Sequence, residues 1–273
     1  MTTAAQALAA ARSLGIDRLD AQLLLAHRLQ RPRSWLFAHD DAALSAAIVQ
    51  AFEADCRRRA DDVPLAYLVG EREFHGLSLR VTPDVLVPRP DTETLVDWAL
   101  ELIPTLAAAA PALVDLGTGS GAIALALAQR CPGARITATD LSPAALAVAQ
   151  DNAARLQLTL QFAAGSWWQA VVGQNFDLAL SNPPYIADDD AHLAALRHEP
   201  ALALTPGGDG LDAIRRIVAD APPHLRPGGW LLVEHGCDQA EPVRALFAAA
   251  GFVELATRCD IEARPRCCGG RLP

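Results

Sequence analysis

Ala112-Leu113-Val114-Asp115-Leu116-Gly117-Thr118-Gly119-Ser120-Gly121 decides the fold of this 273-residue chain. Its first five residues, apolar around a single acid, read as a short strand buried on both faces. The glycines that follow let the backbone turn sharply and approach a ligand closely, and an apolar helix is expected over Ala122 to Arg130. A helix that starts there offers unpaired N–H groups to a polar or negative ligand. About twenty residues on, the spacing typical of nucleotide sites, a second strand over Arg135 to Asp140 ends in a carboxylate. Asp140 is placed to accept hydrogen bonds from both hydroxyls of a ribose.

Outward from this unit the chain alternates. Strands are expected at Ala112 to Gly117, Arg135 to Asp140, Leu160 to Gly165, Phe176 to Ser181, Trp230 to His235, Gly251 to Asp260 and Cys267 to Leu272. The first five alternate with helices, as a doubly wound parallel sheet requires, and the last two are joined by a short connection. Before residue 70 the pattern is helical instead, with apolar residues at helical spacing over Thr3 to Leu14, Asp17 to Leu29 and Leu44 to Arg59. Three parts follow: a helical bundle over 1–70, a hairpin or extended linker over 71–90, and an α/β domain over 91–273.

The fourth strand runs directly into Asn182-Pro183-Pro184-Tyr185, and the carboxyl end of a strand is where open α/β sheets bind ligands. Proline fixes φ and lacks an N–H, so the prolines leave only carbonyl acceptors on that stretch of backbone. A planar group with two N–H donors can give one to the Asn182 side-chain oxygen and one to the Pro183 carbonyl, while Tyr185 covers its face. Asn182, Pro183 and Tyr185 are therefore the expected catalytic residues, and Asn182 to Tyr185 the substrate-binding segment. The bland alternative for the tetrapeptide is a proline-rich turn that ends a strand.

Composition removes whole classes of cofactor. All 23 basic residues are arginine, so the lysine of a P-loop and of a pyridoxal Schiff base is missing. Glycines at alternate positions, Gly117, Gly119 and Gly121, fit a loop for S-adenosylmethionine better than the G-x-G-x-x-G of a dinucleotide site. The net charge of −9 and the absence of any arginine run longer than Arg57-Arg58-Arg59 count against a DNA-tracking protein, and direct nucleic-acid binding is not expected. Those three arginines read as the solvated last turn of a helix, where cations complement the dipole. No apolar run is long enough to span a bilayer, and Met1 to Leu14 lacks the form of a signal peptide, so a cytoplasmic location and no membrane partner are expected. The six cysteines show no C-x-x-C pairing and are expected as free thiols without a metal; Cys267 and Cys268, adjacent on a strand, would face opposite ways.

These segments resemble a known family. The glycine loop and Asn182 to Tyr185 are accompanied by Pro64-Leu65-Ala66-Tyr67-Leu68-Val69-Gly70, Phe74-His75-Gly76-Leu77 and Val87-Pro88-Arg89-Pro90-Asp91-Thr92-Glu93. Glu199-Pro200-Ala201-Leu202, Gly207-Gly208-Asp209-Gly210-Leu211 and Leu232-Val233-Glu234-His235-Gly236 complete the set. The chain is similar, over nearly its whole length, to Rossmann-like class I methyltransferases of the N5-glutamine branch (PrmC/HemK). The tetrapeptide is shared with DNA adenine-N6 methyltransferases; the flanking segments favour glutamine, and the Pro-Asp-Thr-Glu form favours release factors over a ribosomal protein.

The resemblance implies a mostly parallel Rossmann-like sheet with an antiparallel last pair and a small N-terminal helical-bundle domain that docks the substrate. It implies S-adenosylmethionine as cofactor, S-adenosylhomocysteine as product, and peptide chain release factors as protein substrates. Expected cofactor-binding residues are Gly117, Thr118, Gly119, Ser120, Gly121, Asp140, Trp167 and Asn182, with Trp167 near the adenine and Trp168 in the core. Asp115 is open between ordering the glycine loop, approaching the methionine amino group and a simple structural cap. Arg89 and Glu93 are open between ligand contact and an ion pair. His75 and His235 have no partner spacing and read as structural. Arg264-Pro265-Arg266 departs from the family pattern before the last strand.

Overall fold

Side-chain caps start the first helices. Thr3 forms a capping box with Gln6, Asp17 accepts from the Leu19 N–H and Ser45 from the Ile48 N–H, so α1 (Ala4–Ser13), α2 (Arg18–Leu29) and, after the short α3 (Trp35–Ala38), α4 (Ala46–Ala60) begin within two residues of the expected positions. A short α5 (Leu65–Val69) ends at Gly70. The computed structural model describes all residues, Met1–Pro273, as two units, Met1–Glu71 and Arg72–Pro273. In the first, Leu24, Leu25, Leu36 and Phe52 form the core. The buried Asp55 is held by Nε and Nη2 of Arg28 at 2.5 and 2.7 Å, a bidentate pair that offsets the penalty of burying the acid. Arg59 is not merely solvated: it binds Asp20 at 2.7 Å.

The hairpin β1 (Glu71–Phe74) and β2 (Leu77–Arg80) starts at the last residue of the first unit and is followed by α6 (Glu93–Leu102). Then come β3 (Ala112–Leu116), α7 (Ala122–Arg130), β4 (Arg135–Asp140), α8 (Pro143–Leu156), β5 (Gln161–Ala164) and β6 (Phe176–Ser181). The chain ends with α9 (Asp212–Ala219), β7 (Leu225–Glu234), α10 (Ala240–Ala249), β8 (Val253–Cys259) and β9 (Pro265–Arg271). All seven strands expected in the sheet are present. One expectation fails: between β5 and β6 there is no α-helix but a 3₁₀ turn, Trp167–Val171, because Trp168 and Val171 are already buried by that short segment.

The seven strands lie in the order β5-β4-β3-β6-β7-β9-β8, with β3 to β7 parallel and β9 antiparallel to both β7 and β8. From β3 the chain winds outward through β4 and β5, then returns to place β6 and β7 on the other side. The strand order therefore reverses between β3 and β6. That is the crevice where a doubly wound sheet binds its ligand. Alternate strand residues feed two apolar layers: Leu113, Leu178 and Cys267 face α6 and α7, while Val114, Ala179 and Cys268 face α9 and α10. Adjacent Cys267 and Cys268 thus point to opposite faces, and all six cysteines are free.

Candidate active site at the sheet switch point

Leu116 pairs with Ser181 at the carboxyl ends of β3 and β6, and the Ser181 hydroxyl donates to the Leu116 carbonyl at 2.7 Å. The next residues, Gly117 and Asn182, therefore leave the sheet side by side. A cavity of about 750 Å³ opens above them.

One side of the cavity is the glycine loop. Gly117 has φ +76°, and a Cβ there would come within 3.0 Å of the Trp167 ring, so only glycine lets the ring lie against this backbone. The Gly117 and Thr118 N–H groups donate to the Thr139 carbonyl at 2.9 and 2.7 Å. Asp115 orders the loop from below: its Oδ2 accepts the Thr118 hydroxyl at 2.6 Å and the Ala124 N–H at 3.3 Å. Burial pushes its carboxyl up to about 7 against those two bonds, and Oδ1 is buried without a partner. Asp140 stands on the cavity wall, where Oδ2 accepts the Gly119 N–H and Oδ1 the Ser142 N–H, while burial raises its pKa.

The other side is the segment after β6. The Asn182 Nδ2 donates to Thr92 Oγ1 at 3.0 Å, and no group of the chain donates to Oδ1. Tyr185 donates its hydroxyl to Glu234 Oε1 at 3.0 Å and packs against the layer under α9 and α10. Farther out, Arg89 pairs with Glu199, whose Oε2 also accepts the Val87 N–H at 3.1 Å. This ties the strap before α6 to the loop after β6.

Of the expected site residues, Gly117, Thr118, Gly119, Ser120, Asp140, Trp167, Asn182 and Pro184 line the cavity together. Gly121, Pro183 and Tyr185 do not. Gly121 is the N-cap of α7, at φ +85°, and a Cβ there would strike Leu125 at 2.8 Å. Pro183 is buried behind the wall. The Tyr185 ring does not cover the cavity, because its hydroxyl is drawn to Glu234 at the end of β7. Trp168 is in the core, its indole N–H on the Ile217 carbonyl at 2.8 Å. Arg89 forms an ion pair at the wall, and Glu93 accepts the His75 N–H at 3.0 Å in the β1–β2 turn. His75 contacts Asp97, and His235 is fully buried beside Cys268.

Sequence reasoning missed Thr92, Asn152, Glu199 and Glu234. Asn152 is buried in α8, where it accepts the Arg80 N–H and donates to the Ser120 carbonyl, joining β2 to the glycine loop. An acid closing the apolar run Trp230-Leu231-Leu232-Val233-Glu234 was the one local signal available. The departure at Arg264-Pro265-Arg266 is accommodated: both arginines contact Asp260 and Asp91, and β8 and β9 pair as an ordinary hairpin with two register shifts.

A reversed strand order with a glycine loop on one side and the Asn182-Pro183-Pro184-Tyr185 segment on the other is the arrangement of a Rossmann-like methyltransferase. Residues 94–253 match the methyltransferase small domain family, and residues 1–70 the PrmC N-terminal domain. Among curated proteins, the release factor glutamine methyltransferase of Xylella fastidiosa (strain Temecula1) is 50% identical over 98% of this chain and 98% of that one. Its counterpart in Bordetella pertussis is 51% identical over 94% of this chain and 96% of that one. Among solved structures, a T. thermophilus 16S rRNA N2 G1207 methyltransferase in complex with AdoMet and guanosine shares the fold, with a TM-score of 0.56 at 20% identity over 74% of this chain and 50% of that one. The chain belongs to the release factor glutamine methyltransferase family.

Proposed function

We infer that this enzyme transfers a methyl group from S-adenosylmethionine to the N5 side-chain amide nitrogen of a glutamine in peptide chain release factors. The observation that carries the reading is the Asn182 amide at the switch point, its nitrogen engaged by Thr92 and its oxygen left to the cavity. The residues present fit the methyl donor. Gly117 gives a flat cradle against Trp167, Gly119 has nothing within 4 Å above it, and α7 begins without a side-chain cap. Gly117 to Ser120, Asp140 and Trp167 would hold it, with Asp140 on the ribose hydroxyls and Trp167 against the adenine. When bound, S-adenosylmethionine supplies an electrophilic methyl on a sulfonium.

A carboxamide nitrogen is a poor nucleophile, because its lone pair is delocalised into the carbonyl. Asn182 Oδ1 accepts one of its N–H groups, aims it into the cavity and stabilises the positive charge that builds on nitrogen. No general base is needed beforehand, since the nitrogen becomes acidic as it is alkylated and its proton leaves to solvent. Tyr185 anchors this loop and does not cover the substrate. The helical bundle, residues 1–70, is assigned the docking of the protein substrate, and a role in translation termination places the enzyme in the cytoplasm.

The test is to incubate the full chain with methyl-labelled S-adenosylmethionine and, separately, a release factor, a ribosomal protein and DNA, followed by acid hydrolysis. Label recovered as N5-methylglutamine from the release factor supports the reading. Label confined to the ribosomal protein or to DNA refutes it.

A further inference from the structure

Leu202 is 77% exposed and yet lines the cavity that contains Asn182. An exposed leucine is ordinary on a protein surface, but this one is built into a fixed position. It lies in the 3₁₀ turn Ala201–Ala203, between two anchors. Before the turn, the buried Glu199 pairs with Arg89 and accepts the Val87 N–H at 3.1 Å. After it, Leu204 is buried and its carbonyl accepts the Ile186 N–H at 3.0 Å, while the Leu204 and Thr205 N–H groups both donate to the Ala201 carbonyl at 3.0 and 3.1 Å. The Thr205 hydroxyl donates to Asp188 at 2.7 Å. The backbone is thus pinned on both sides of a side chain that packs against little of its own chain.

The turn belongs to the Asn182 half of the cavity. The strap that holds Glu199 through Arg89 also holds Asn182 through Thr92, at 3.0 Å from the Thr92 hydroxyl to the Asn182 nitrogen. Four prolines share the lining with Leu202, namely Pro88, Pro184, Pro200 and Pro206. None of them has an N–H to give. Two of the three arginines in the lining are already matched, Arg89 by Glu199 and Arg215 by Asp209 and Asp212, which leaves Arg216 on α9. An acceptor glutamine finds its polar partner deeper in, at Asn182, while the chain flanking it meets carbon at the rim. A polar side chain pressed against this rim loses water without a partner in return, whereas an apolar one gains by burial.

We propose that Leu202 is a specificity-determining residue for the protein acceptor: with Pro200 and Pro206 it forms a rigid apolar lip that takes an apolar side chain flanking the methylated glutamine. The inference deepens the proposed function and rests on it. Because the turn is held before the acceptor arrives, ordering it costs nothing on binding.

The experiment compares the full-length wild type with Leu202→Asp, Leu202→Ala and Leu202→Met, using a purified release factor as acceptor. Each enzyme is measured for kcat and KM, with S-adenosylhomocysteine affinity by calorimetry and a melting curve beside them. Leu202→Asp is expected to raise KM for the release factor by about tenfold or more, and Leu202→Ala by about threefold to tenfold. Leu202→Met, which keeps the volume and the apolar surface, is expected to stay within about threefold of wild type. Saturating kcat and product affinity should change by less than about threefold in all three, and the melting temperature by less than about 2 °C, because the side chain stands in solvent. In the release factor, each apolar residue flanking the methylated glutamine is replaced in turn by Ser. One of these replacements is expected to raise KM on the wild-type enzyme and to have little further effect on Leu202→Asp, as two partners in one contact require.

A wild-type KM in Leu202→Asp overturns the proposal, as does the absence of any flanking replacement that couples to Leu202. Loss of S-adenosylhomocysteine affinity in step with KM also overturns it, since the leucine would then cover the cofactor. The two layers separate on the wild-type enzyme: if it places no methyl on a release-factor glutamine, the proposed function fails, whereas if it does and Leu202→Asp matches it, only the present inference fails.

Discussion

Asp140 Oδ2 accepts the Gly119 N–H at 2.9 Å, so the acid at the end of β4 also holds the tip of the glycine loop that follows β3. The same carboxylate accepts the Ser142 N–H at the start of α8. A single side chain thereby joins the glycine loop to the start of α8 and, in the proposed reading, to ribose recognition. Replacing Asp140 by Ala removes both, and with hydrogen bonds to charged groups contributing about 1.5–3 kcal/mol each, S-adenosylhomocysteine affinity is expected to fall by roughly a hundredfold. Calorimetric titration reads this directly, and a dissociation constant within about threefold of wild type would contradict it.

Asn182 should separate rate from cofactor affinity. Asn182→Ala deletes the acceptor proposed to hold the reacting nitrogen, and a loss of about a hundredfold in the methyl-transfer rate is expected, by comparison with removal of a single oxyanion-hole donor. Binding of S-adenosylhomocysteine should change by less than about fivefold. Single-turnover transfer to a release factor, run beside calorimetry, tests the split; a variant that loses both equally points to collapse of the loop.

The Glu199 carboxylate, almost wholly buried, depends on Arg89 and the Val87 N–H. Arg89→Ala leaves that acid without its counter-charge and should destabilise the second unit by about 2–4 kcal/mol. Replacing Glu199 by Gln in the Arg89→Ala background removes the unpaired charge and is expected to recover part of the loss. Urea denaturation of the two variants decides it, and equal midpoints would rule out the charge as the cause.

Two carboxyls make stability fall with rising pH. Asp115 and Glu234 are each pushed up to about 7 by burial, above the ordinary values of 3.8 and 4.5, so the folded chain binds their protons more tightly than the unfolded one. Their contribution is complete below the unfolded pKa values, and it is lost as pH rises from about 4 through about 7, with a ceiling on the order of 3–4 kcal/mol apiece. Asp209 and Asp260, held down at about 2 by arginine and backbone hydrogen bonds, act oppositely: their contribution is present above their unfolded pKa and lost only as pH falls towards 2. Asp115→Asn should therefore flatten the fall in melting temperature between pH 5 and 8. An unaltered pH profile in that variant would show that Asp115 is ionised throughout this range.

Gly210 makes a steric prediction. It has φ +80°, and a Cβ there would lie 2.3 Å from the Tyr185 carbonyl oxygen. Gly210→Ala must displace the loop that carries Asn182, so methyl transfer should fall by at least about tenfold while α7 and the glycine loop keep their cofactor affinity. A variant with wild-type turnover would mean that the loop has room to shift without moving Asn182.

Much of the site was legible because its determinants are local. The run Ala112 to Leu116 is too apolar for any position but a buried strand, and glycines at 117, 119 and 121 permit the turn that must follow. The prolines after Asn182 strip the backbone of donors wherever the segment lies. Such signals need no knowledge of neighbours. Tyr185 was misread for the opposite reason: nothing within ten residues of it reveals Glu234, 49 positions away, which draws its hydroxyl off the cavity. The 3₁₀ turn at Trp167–Val171 was missed because two buried side chains in five residues can close a crossover that periodicity assigns to a full helix.

The sequence by itself determined the strand, loop and helix that build the glycine cradle, the acid that ends β4, and the missing backbone donors at Pro183 and Pro184 after β6. These follow from side-chain sterics and hydrogen-bonding capacity over a few consecutive residues. Only the tertiary structure decided that Thr92 meets Asn182 across 90 residues, that Arg89 meets Glu199 across 110, and that the Tyr185 hydroxyl meets Glu234 across 49. A contact between distant residues is fixed by strand order and register, which depend on how the whole sheet is wound, and no short stretch of chain carries that information.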